Sequence, residues 1–269
     1  MQRRPNATGF LTRDTRSRTL ALLVASTLLS ASVAYGQDLK VMISGGFTAA
    51  YLEVVPDFER ATRTKIVTSF GASMGNAPDS IPVRLQRGEP ADVVILAGPA
   101  LDGLIAQGKV LAGSRVDLAR SPIGMAVRAG APRPDISSVE ALTHTLLRAR
   151  SIAYSASASG VYVSTELFQR LGIADQVRAK SRRIESERVG AVVARGEAEI
   201  GFQQISELLG IPGVDYVGPL PPEVQRVTVF SAGIGTGARN PAAARSLITF
   251  LASPAAAAAV AKSGLEPVH

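Results

Sequence analysis

Short apolar runs alternate with amphipathic segments from residue 38 onward, and this alternation predicts an α/β protein. The runs "LKVMIS" (residues 39–44) and "ADVVIL" (91–96) read as strands, and the second is nearly continuous, which suits burial on both faces of a sheet. Between such runs the apolar residues recur at helical spacing, as in residues 48–62. The pattern therefore favours mostly parallel sheets flanked by helices.

The alternation also indicates two lobes. Strand-like runs begin again at residues 123–128 and 151–155, each followed by a helical pattern. Residues of about 38–118 and 226–269 are expected to form lobe I, with residues of about 119–225 inserted as lobe II. Two crossover segments would then join the lobes and let them close like a hinge.

The first 36 residues differ from the rest and predict a secretory signal peptide. Five arginines precede an uncharged run at residues 20–34, and small residues follow at the spacing of a cleavage site: Ser32, Ala34 and Gly36. The apolar run is shorter than the roughly 20 residues that a membrane-spanning helix needs. We therefore expect residues 1–36 to be removed, leaving a periplasmic protein without a membrane span.

Charge and composition exclude several classes of function. The formal net charge is +7, but residues 37–269 hold 24 basic against 21 acidic residues, and the basic residues are dispersed. With no tryptophan and few aromatic residues for stacking on bases, a nucleic-acid partner is not expected. The chain has no cysteine and only two histidines, His144 and His269, so neither a metal site nor a histidine base is expected. Any chemistry would use carboxylates, Lys, Tyr, Ser or backbone groups, without a cofactor.

Three strand ends carry small and hydroxyl-bearing residues. They are "VMISGGF" (41–47), "SFGASMGN" (69–76) and "YSASASGVY" (154–162). Ligands of open α/β sheets bind at the carboxyl ends of strands, where helix N-termini present unpaired N–H groups. The repeated motif predicts an inter-lobe cleft for an anion, built around Ser44, Gly45 and their equivalents. Serines also cap helices where no ligand binds, and capping explains any one of these motifs equally well.

The chain resembles the periplasmic molybdate-binding proteins of ABC importers, a branch of the type II periplasmic binding fold. The resemblance rests on strings that occur in the same order along nearly all of the mature chain: "ISGGFTAAYLEVVPDFE", "SFGAS", "RLQRGEPADVVI", "SASGVYVSTELFQRLGI" and "VVARGEAEIGF". It implies a two-lobed fold that holds an oxyanion between its lobes, in a protein that works as a monomer with an ABC permease as partner.

The resemblance also implies ligand positions. Carried over residue by residue, they are Gly46, Ser73, Ser159, Ser186 and Gln204. Neighbours in the same motifs complete the predicted binding set: Ser44, Gly45, Met74, Gly160, Val161 and Gln203. Glycine stands where the family has its first hydroxyl, and glutamine replaces a late tyrosine donor. A loop about six residues longer brings Arg84 toward the cleft.

These departures weaken molybdate and favour a larger organic polycarboxylate, because arginine forks and amides suit carboxylates. Local strings including "VMISGGF" and "GFQQ" are also similar to a smaller group of exported homologues that includes a bacterial aconitate isomerase. Two functions thus stay open: a receptor that delivers an anion to an importer, and a cofactor-free isomerase that shifts an allylic proton. The isomerase would need cations, for which Arg84 and Arg188 are candidates, and a proton carrier, for which Tyr154, Tyr162 and Glu187 are candidates.

Overall fold

The computed structural model describes residues 38–268, which form two β-sheets with helices on their faces. The predicted signal peptide therefore lies outside the described residues. The strands are β1 Leu39–Ile43, β2 Ile66–Phe70, β3 Val93–Ala97, β4 Val116–Ser121, β5 Ile123–Arg128, β6 Ile152–Ser155, β7 Ser181–Ile184, β8 Ile200–Gln204, β9 Val214–Pro219, β10 Thr228–Ile234 and β11 Glu266–Pro267.

The helices follow most of the strands. The α-helices are α1 Gly45–Thr62, α2 Ile81–Gln86, α3 Gly98–Ala106, α4 Val139–Arg148, α5 Ala158–Tyr162, α6 Phe168–Arg170, α7 Ala174–Arg178, α8 Val189–Ala194, α9 Ile205–Leu208, α10 Pro241–Leu251 and α11 Pro254–Lys262. A π-helical turn, Val163–Leu167, joins α5 to α6, and a 3-10 turn, Pro222–Val224, precedes β10.

The predicted α/β two-lobed class is confirmed, with sheets that are mixed. The lobe I sheet has the order β11-β4-β10-β3-β1-β2, and the lobe II sheet has the order β7-β6-β8-β5-β9. Strands β1, β2 and β3 are parallel, as are β6, β7 and β8. Strand β10 runs antiparallel to β3, and β5 runs antiparallel to β8; each is the first strand of its sheet after a crossover from the other lobe.

Burial on both faces explains why β1 and β3 are apolar at nearly every position. Val41 and Ile43 of β1 face a core that also contains residues of α1, α10 and α11, whereas Met42 faces the core under α2 and α3. In lobe II, α4 to α7 cover one face of the sheet and α8 covers the other.

Four strands were not among the strands that the apolar pattern predicts, namely β4, β7, β9 and the two-residue β11. Strands β4, β7 and β9 carry charged or partly exposed residues, as in "SRRI" of β7. Strands β7 and β9 lie at the edges of their sheet, where one side lacks a neighbour, and the outer neighbour of β4 is only the two-residue β11, so the apolar requirement is weaker. The helical pattern that follows the run at residues 151–155 begins as a helix at Ala158.

The chain changes sheets twice. It leaves lobe I between Ser121 and Ile123 and returns between Pro219 and Thr228. The Gln204 amide joins both crossings: oriented to satisfy its neighbours, it donates to the Ser121 carbonyl at 3.0 Å and accepts from Thr228 Oγ1 at 3.0 Å. The lobe boundaries near residues 118 and 225 stay a prediction.

In the part of the chain that the structure covers, no single helix is long and apolar enough to cross a membrane. Helices α10 and α11 reach that length and composition only as a pair, with a bend of 60° between them. Their apolar residues, including Leu247 and Val260, pack in the lobe I core.

Gly46→Ala is expected to destabilise the fold by about 1–3 kcal/mol, because a Cβ there would overlap the buried Phe230 ring in a tightly packed core. Gly103→Ala in α3 is the matched control, since a Cβ at that position meets no heavy atom within 4 Å. The control should gain about 0.5–1 kcal/mol from helix propensity. Urea unfolding measures both, and equal effects would contradict the packing role of Gly46.

Candidate functional site

A cavity of about 340 Å³ lies between the lobes, at the carboxyl ends of β1, β2, β6 and β8. Ser44, Ser73 and Ser159, which come from three separate strand ends, all line it. Of the other residues singled out in the sequence, the lining includes Gly45, Gly46, Ser186, Glu187, Arg188, Gln203 and Gln204. The cavity thus joins most of the motifs in one place.

Four residues expected to bind ligand lie elsewhere. Arg84 forms a forked ion pair with Glu89 and donates from Nη1 to the Phe70 carbonyl at 3.0 Å, so its guanidinium is held beside β2 and outside the cavity lining. The remaining three residues are also outside the lining: Met74, Gly160 and Val161. Gly160 packs against the Ser155 backbone, and Val161 is 42% exposed on the surface.

The two candidate tyrosines belong to the lobe II core. Tyr154 packs edge-on against Phe168, with ring centroids 6.2 Å apart. The Tyr162 hydroxyl donates to the Val224 carbonyl at 2.6 Å, and its ring lies under the Arg226 guanidinium. Neither side chain lines the cavity, so neither is placed to carry a proton there.

A directed chain of hydrogen bonds makes Ser44 a donor. The Ala97 N–H donates to Ser73 Oγ at 3.0 Å, and Ser73 donates its own hydrogen to Ser44 Oγ at 2.8 Å. Because the Ser44 oxygen is then an acceptor, its hydrogen has no partner among residues 38–268. Both serines are buried, and the free O–H of Ser44 is available to an anion in the cavity.

Helix capping does not account for Ser44. It is the N-cap of α1, yet its side chain makes no capping hydrogen bond. Ser138 and Asn240 show the alternative, because each accepts from an N–H in the first turn of its helix. The N-terminus of α1 therefore keeps both its N–H groups and its partial positive charge for a ligand.

Lobe II contributes a second serine pair. Ser155 Oγ and Ser159 Oγ are 3.1 Å apart, both are buried, and both line the cavity. Ser155 and Ser157 were not in the predicted binding set, although both stand in the quoted "YSASASGVY" motif. Each lobe thus faces the cavity with hydroxyl groups that follow a strand.

The two glutamines of β8 are bound to protein groups. Gln203 Oε1 accepts from the Val189 N–H at 2.9 Å, and Gln203 Nε2 donates to Glu207 Oε1 at 2.9 Å. Gln204 bonds to the crossovers, as described above. Their amides orient other groups while both residues line the cavity, and direct donation from either amide to a ligand stays a prediction.

Glu207 lines the cavity and was missed by sequence reasoning. It lies in the first turn of α9, directly after β8, and its Oε1 approaches the N-terminus of α1 so closely that a Cβ on Gly45 would overlap it. Desolvation by burial raises the pKa of Glu207 from 4.5 to about 7, against the lowering effects of the Arg188 charge and the Gln203 hydrogen bond. An acid at the carboxyl end of a strand was the available signal.

The charges around the cavity are mostly negative. Arg188 is the one basic residue in its lining, where it is exposed and forms no ion pair with another described residue. The acidic residues of the lining are Asp79, Glu185, Glu187 and Glu207. Glu185 pairs with Arg183, and Glu187 pairs with Arg195, each at 2.9 Å. An anion would therefore be bound by hydroxyl and N–H donors with Arg188, and not by a cluster of cations.

A metal has no evident place in this part of the molecule. Among residues 38–268, no three His, Asp or Glu side chains come close enough together to hold an ion. The donor groups described above are those that bind anions directly.

The family model described as bacterial extracellular solute-binding protein matches residues 39–266. An aconitate isomerase from Pseudomonas sp. is 51% identical over 248 residues, which are 92% of this chain and 94% of that protein.

The molybdate-binding protein ModA from Azotobacter vinelandii is more distant. It is 28% identical over 251 residues, covering 89% of this chain and 93% of that protein. The solved periplasmic molybdate-binding protein from the same organism superposes with a TM-score of 0.68 at 23% sequence identity, covering 85% of this chain and 98% of the other. The similarity thus extends over both lobes.

Ser73→Ala is expected to destabilise the protein by about 1–3 kcal/mol, because it leaves the buried Ala97 N–H without an acceptor. Ser44→Ala is the matched comparison, since it keeps the bond between Ala97 and Ser73 and should cost less. Urea denaturation gives both free energies of unfolding. An equal or larger loss in Ser44→Ala would contradict the proposed direction of the hydrogen bonds.

Glu207→Gln is expected to stabilise the protein at pH 8 but not at pH 4. The native pKa of about 7 exceeds the ordinary value of 4.5, so ionisation opposes folding, and wild-type stability falls as the pH rises from about 4.5 to about 7. The neutral amide avoids this cost, which is on the order of 3 kcal/mol above pH 7. Thermal unfolding of both proteins from pH 4 to pH 8 measures the difference. A pH-independent difference would refute the raised pKa.

Proposed function

Since the chain belongs to the bacterial extracellular solute-binding protein family, we propose that its cavity binds a small organic anion and interconverts cis- and trans-aconitate. The high identity to a relative named aconitate isomerase, across both lobes, supports this choice. Sequence identity alone does not establish the activity, because one fold carries many functions. The chemistry of the site must support it.

The observation that carries the proposal is a buried, protonatable carboxyl beside the hydroxyl and N–H donors that can bind an anion in the same cavity. A general acid or base works best when its pKa is close to the working pH, and burial raises the pKa of Glu207 to about 7. A receptor that only stores an anion has no need of such a group. An isomerase that moves a proton does.

The remaining groups suit a polycarboxylate. The α1 N-terminus and the Ser44 hydroxyl can receive one carboxylate, and the Ser155 and Ser159 pair can receive another from the opposite lobe. Arg188 supplies a positive charge near the cavity mouth. The volume of about 340 Å³ is near the lower end of the ~300–1,000 Å³ range of small-molecule pockets.

The same cavity is less suited to molybdate. A tetrahedral oxyanion needs donors on all sides, but Glu207 presents a carboxylate to the cavity beside the α1 N-terminus. An ionised Glu207 would repel molybdate and a polycarboxylate alike, but only a carbon acid gives this carboxylate a use, as a base.

An importer receptor is the second candidate, and the hinge favours it. Ser206 of lobe II donates to the Gly46 carbonyl of lobe I at 2.7 Å, and Gln204 joins both crossovers, so the two lobes are linked beside the cavity. These contacts suit closure around a ligand, which a receptor for an ABC permease requires.

The proposed place of action is the periplasm. The family of extracellular solute-binding proteins supports export, which the predicted signal peptide at residues 1–36 would direct. We propose that the mature protein works as a monomer, because the two lobes of one chain are enough to form the cavity.

Mature protein (residues 37–269) is expected to convert trans-aconitate to cis-aconitate without added metal or cofactor, because the cavity supplies both anion donors and a proton carrier. Proton NMR of each isomer, incubated separately with enzyme, should approach one equilibrium mixture from both sides. An incubation without protein is the control.

Ligand binding, measured on the same protein preparation, distinguishes the isomerase from the receptor. A thermal-shift panel of aconitate, citrate, molybdate and sulfate reports binding, since a ligand that binds only the native state raises stability. Stabilisation by aconitate without turnover would reject the isomerase and favour the receptor. Stabilisation by molybdate alone would reject both polycarboxylate proposals.

A further inference from the structure

We infer that Glu207 is the single general base that carries the proton between the two ends of the allylic system in aconitate. This inference rests on the proposed isomerase function and names the group that carries the proton in it. The reaction needs a group that removes a proton from one carbon and returns it to another. Glu207 is the carboxylate that the fold places over the anion-binding end of α1.

Glu207 reaches this place from the opposite lobe. Its helix, α9, follows β8 of the lobe II sheet, and the neighbouring Ser206 is anchored to the Gly46 carbonyl of α1 at 2.7 Å. Gly45 has no side chain, and a Cβ there would overlap Glu207 Oε1. The carboxylate therefore lies beside the same backbone N–H groups that would bind a substrate carboxylate.

One oxygen of this carboxylate is held and the other is free. The Val189 N–H fixes the Gln203 amide by donating to its Oε1, so the Gln203 NH₂ group faces Glu207 Oε1 and donates to it at 2.9 Å. Oε2 has no hydrogen-bond partner in the described part of the chain. A carboxylate that is oriented through one oxygen and keeps the other without a hydrogen-bond partner suits proton abstraction.

The charged groups around Glu207 allow it to work near neutral pH. Arg188, at the start of α8, favours the ionised form, and desolvation opposes it more strongly. The other carboxylates of the lining face the cavity from lobe II at Glu185 and Glu187, each neutralised by an arginine, and from lobe I at Asp79. The resulting pKa of about 7 leaves a substantial ionised fraction at neutral pH.

The proposed step conserves protons and electrons. Glu207 Oε2 takes a proton from the methylene carbon, the electron pair of that C–H bond forms the new C=C bond, and the electrons of the old double bond move to its far carbon. The protonated Glu207 then returns its proton to that carbon. The constitution is unchanged, no oxidant or reductant takes part, and the base is regenerated.

Binding then decides the geometry of the product. The new double bond forms where a single bond stood, so its cis or trans form follows from how the substrate was twisted about that bond when bound. Carboxylates held by serine pairs of opposite lobes fix this twist. The negative charge that develops in the allylic anion spreads to these carboxylates, where N–H and O–H donors stabilise it.

Glu207→Gln tests the assignment, because the amide keeps the shape and accepts from Gln203 but cannot take a proton. We expect its kcat for aconitate to fall by about 100-fold or more. Its affinity for tricarballylate, a saturated tricarboxylate that cannot isomerise, should stay within about threefold of wild type or become tighter at pH 8. Glu53→Gln, which removes only a surface pair with Lys262, is the matched control.

Two further readouts separate a base from a structural residue. Wild-type enzyme should exchange the methylene proton of aconitate with D₂O or transfer it within the product, whereas Glu207→Gln should do neither. Glu207→Asp should restore part of kcat, and its kcat/KM should still fall below an apparent pKa. If the carboxylate had only a structural role, kcat/KM would show no such fall at low pH.

The outcomes distinguish the two proposals. Wild-type turnover with Glu207→Gln above a tenth of wild-type kcat would overturn the assignment and leave the isomerase standing. Loss of tricarballylate affinity in proportion to kcat would also overturn it, by showing a structural role. Absence of wild-type turnover would reject both proposals together.

Discussion

The contact between α9 and the N-terminus of α1 is the constraint on which the site depends. Two adjacent glycines start α1. The space that a side chain would fill is occupied by Glu207 at Gly45 and by Phe230 at Gly46. The Ser206 hydroxyl then bonds to the Gly46 carbonyl between the lobes. Without this close approach, the carboxylate and the helix N-terminus would not share a cavity.

That approach brings together two groups with opposite demands. The α1 N-terminus attracts negative charge, whereas removal from water penalises a charged carboxylate. Desolvation by burial raises the pKa of Glu207 to about 7, against the lowering effects of the Arg188 charge and the Gln203 hydrogen bond, so the anion-binding cavity also holds a group that can exchange a proton. Stability is sacrificed at this position, as is common where a group is placed for chemistry.

The serines illustrate how little a motif says without its partners. Ser44, Ser138 and Ser159 all precede or begin helices, and the sequence does not separate a cap from a ligand donor. Hydrogen bonding does: Ser138 caps its helix, whereas Ser44 makes no cap, accepts from Ser73 and lines the cavity. The amides of Gln203 and Gln204 likewise bond to protein groups, which the sequence did not indicate.

The sequence by itself determined the α/β class, the two lobes and the three strand ends that meet at the cavity. These follow from local periodicity and from the rule that ligands bind where parallel strands end, and neither needs a distant partner to be known. Edge strands such as β7 were not predicted, because a half-exposed strand lacks a continuous run of apolar residues. Only the tertiary structure decided that Arg84 is taken by Glu89, that Tyr162 belongs to the lobe II core, and that Glu207 faces the cavity. Those outcomes depend on which groups of distant segments are left without partners after folding, and that is a property of packing and not of any short stretch of chain.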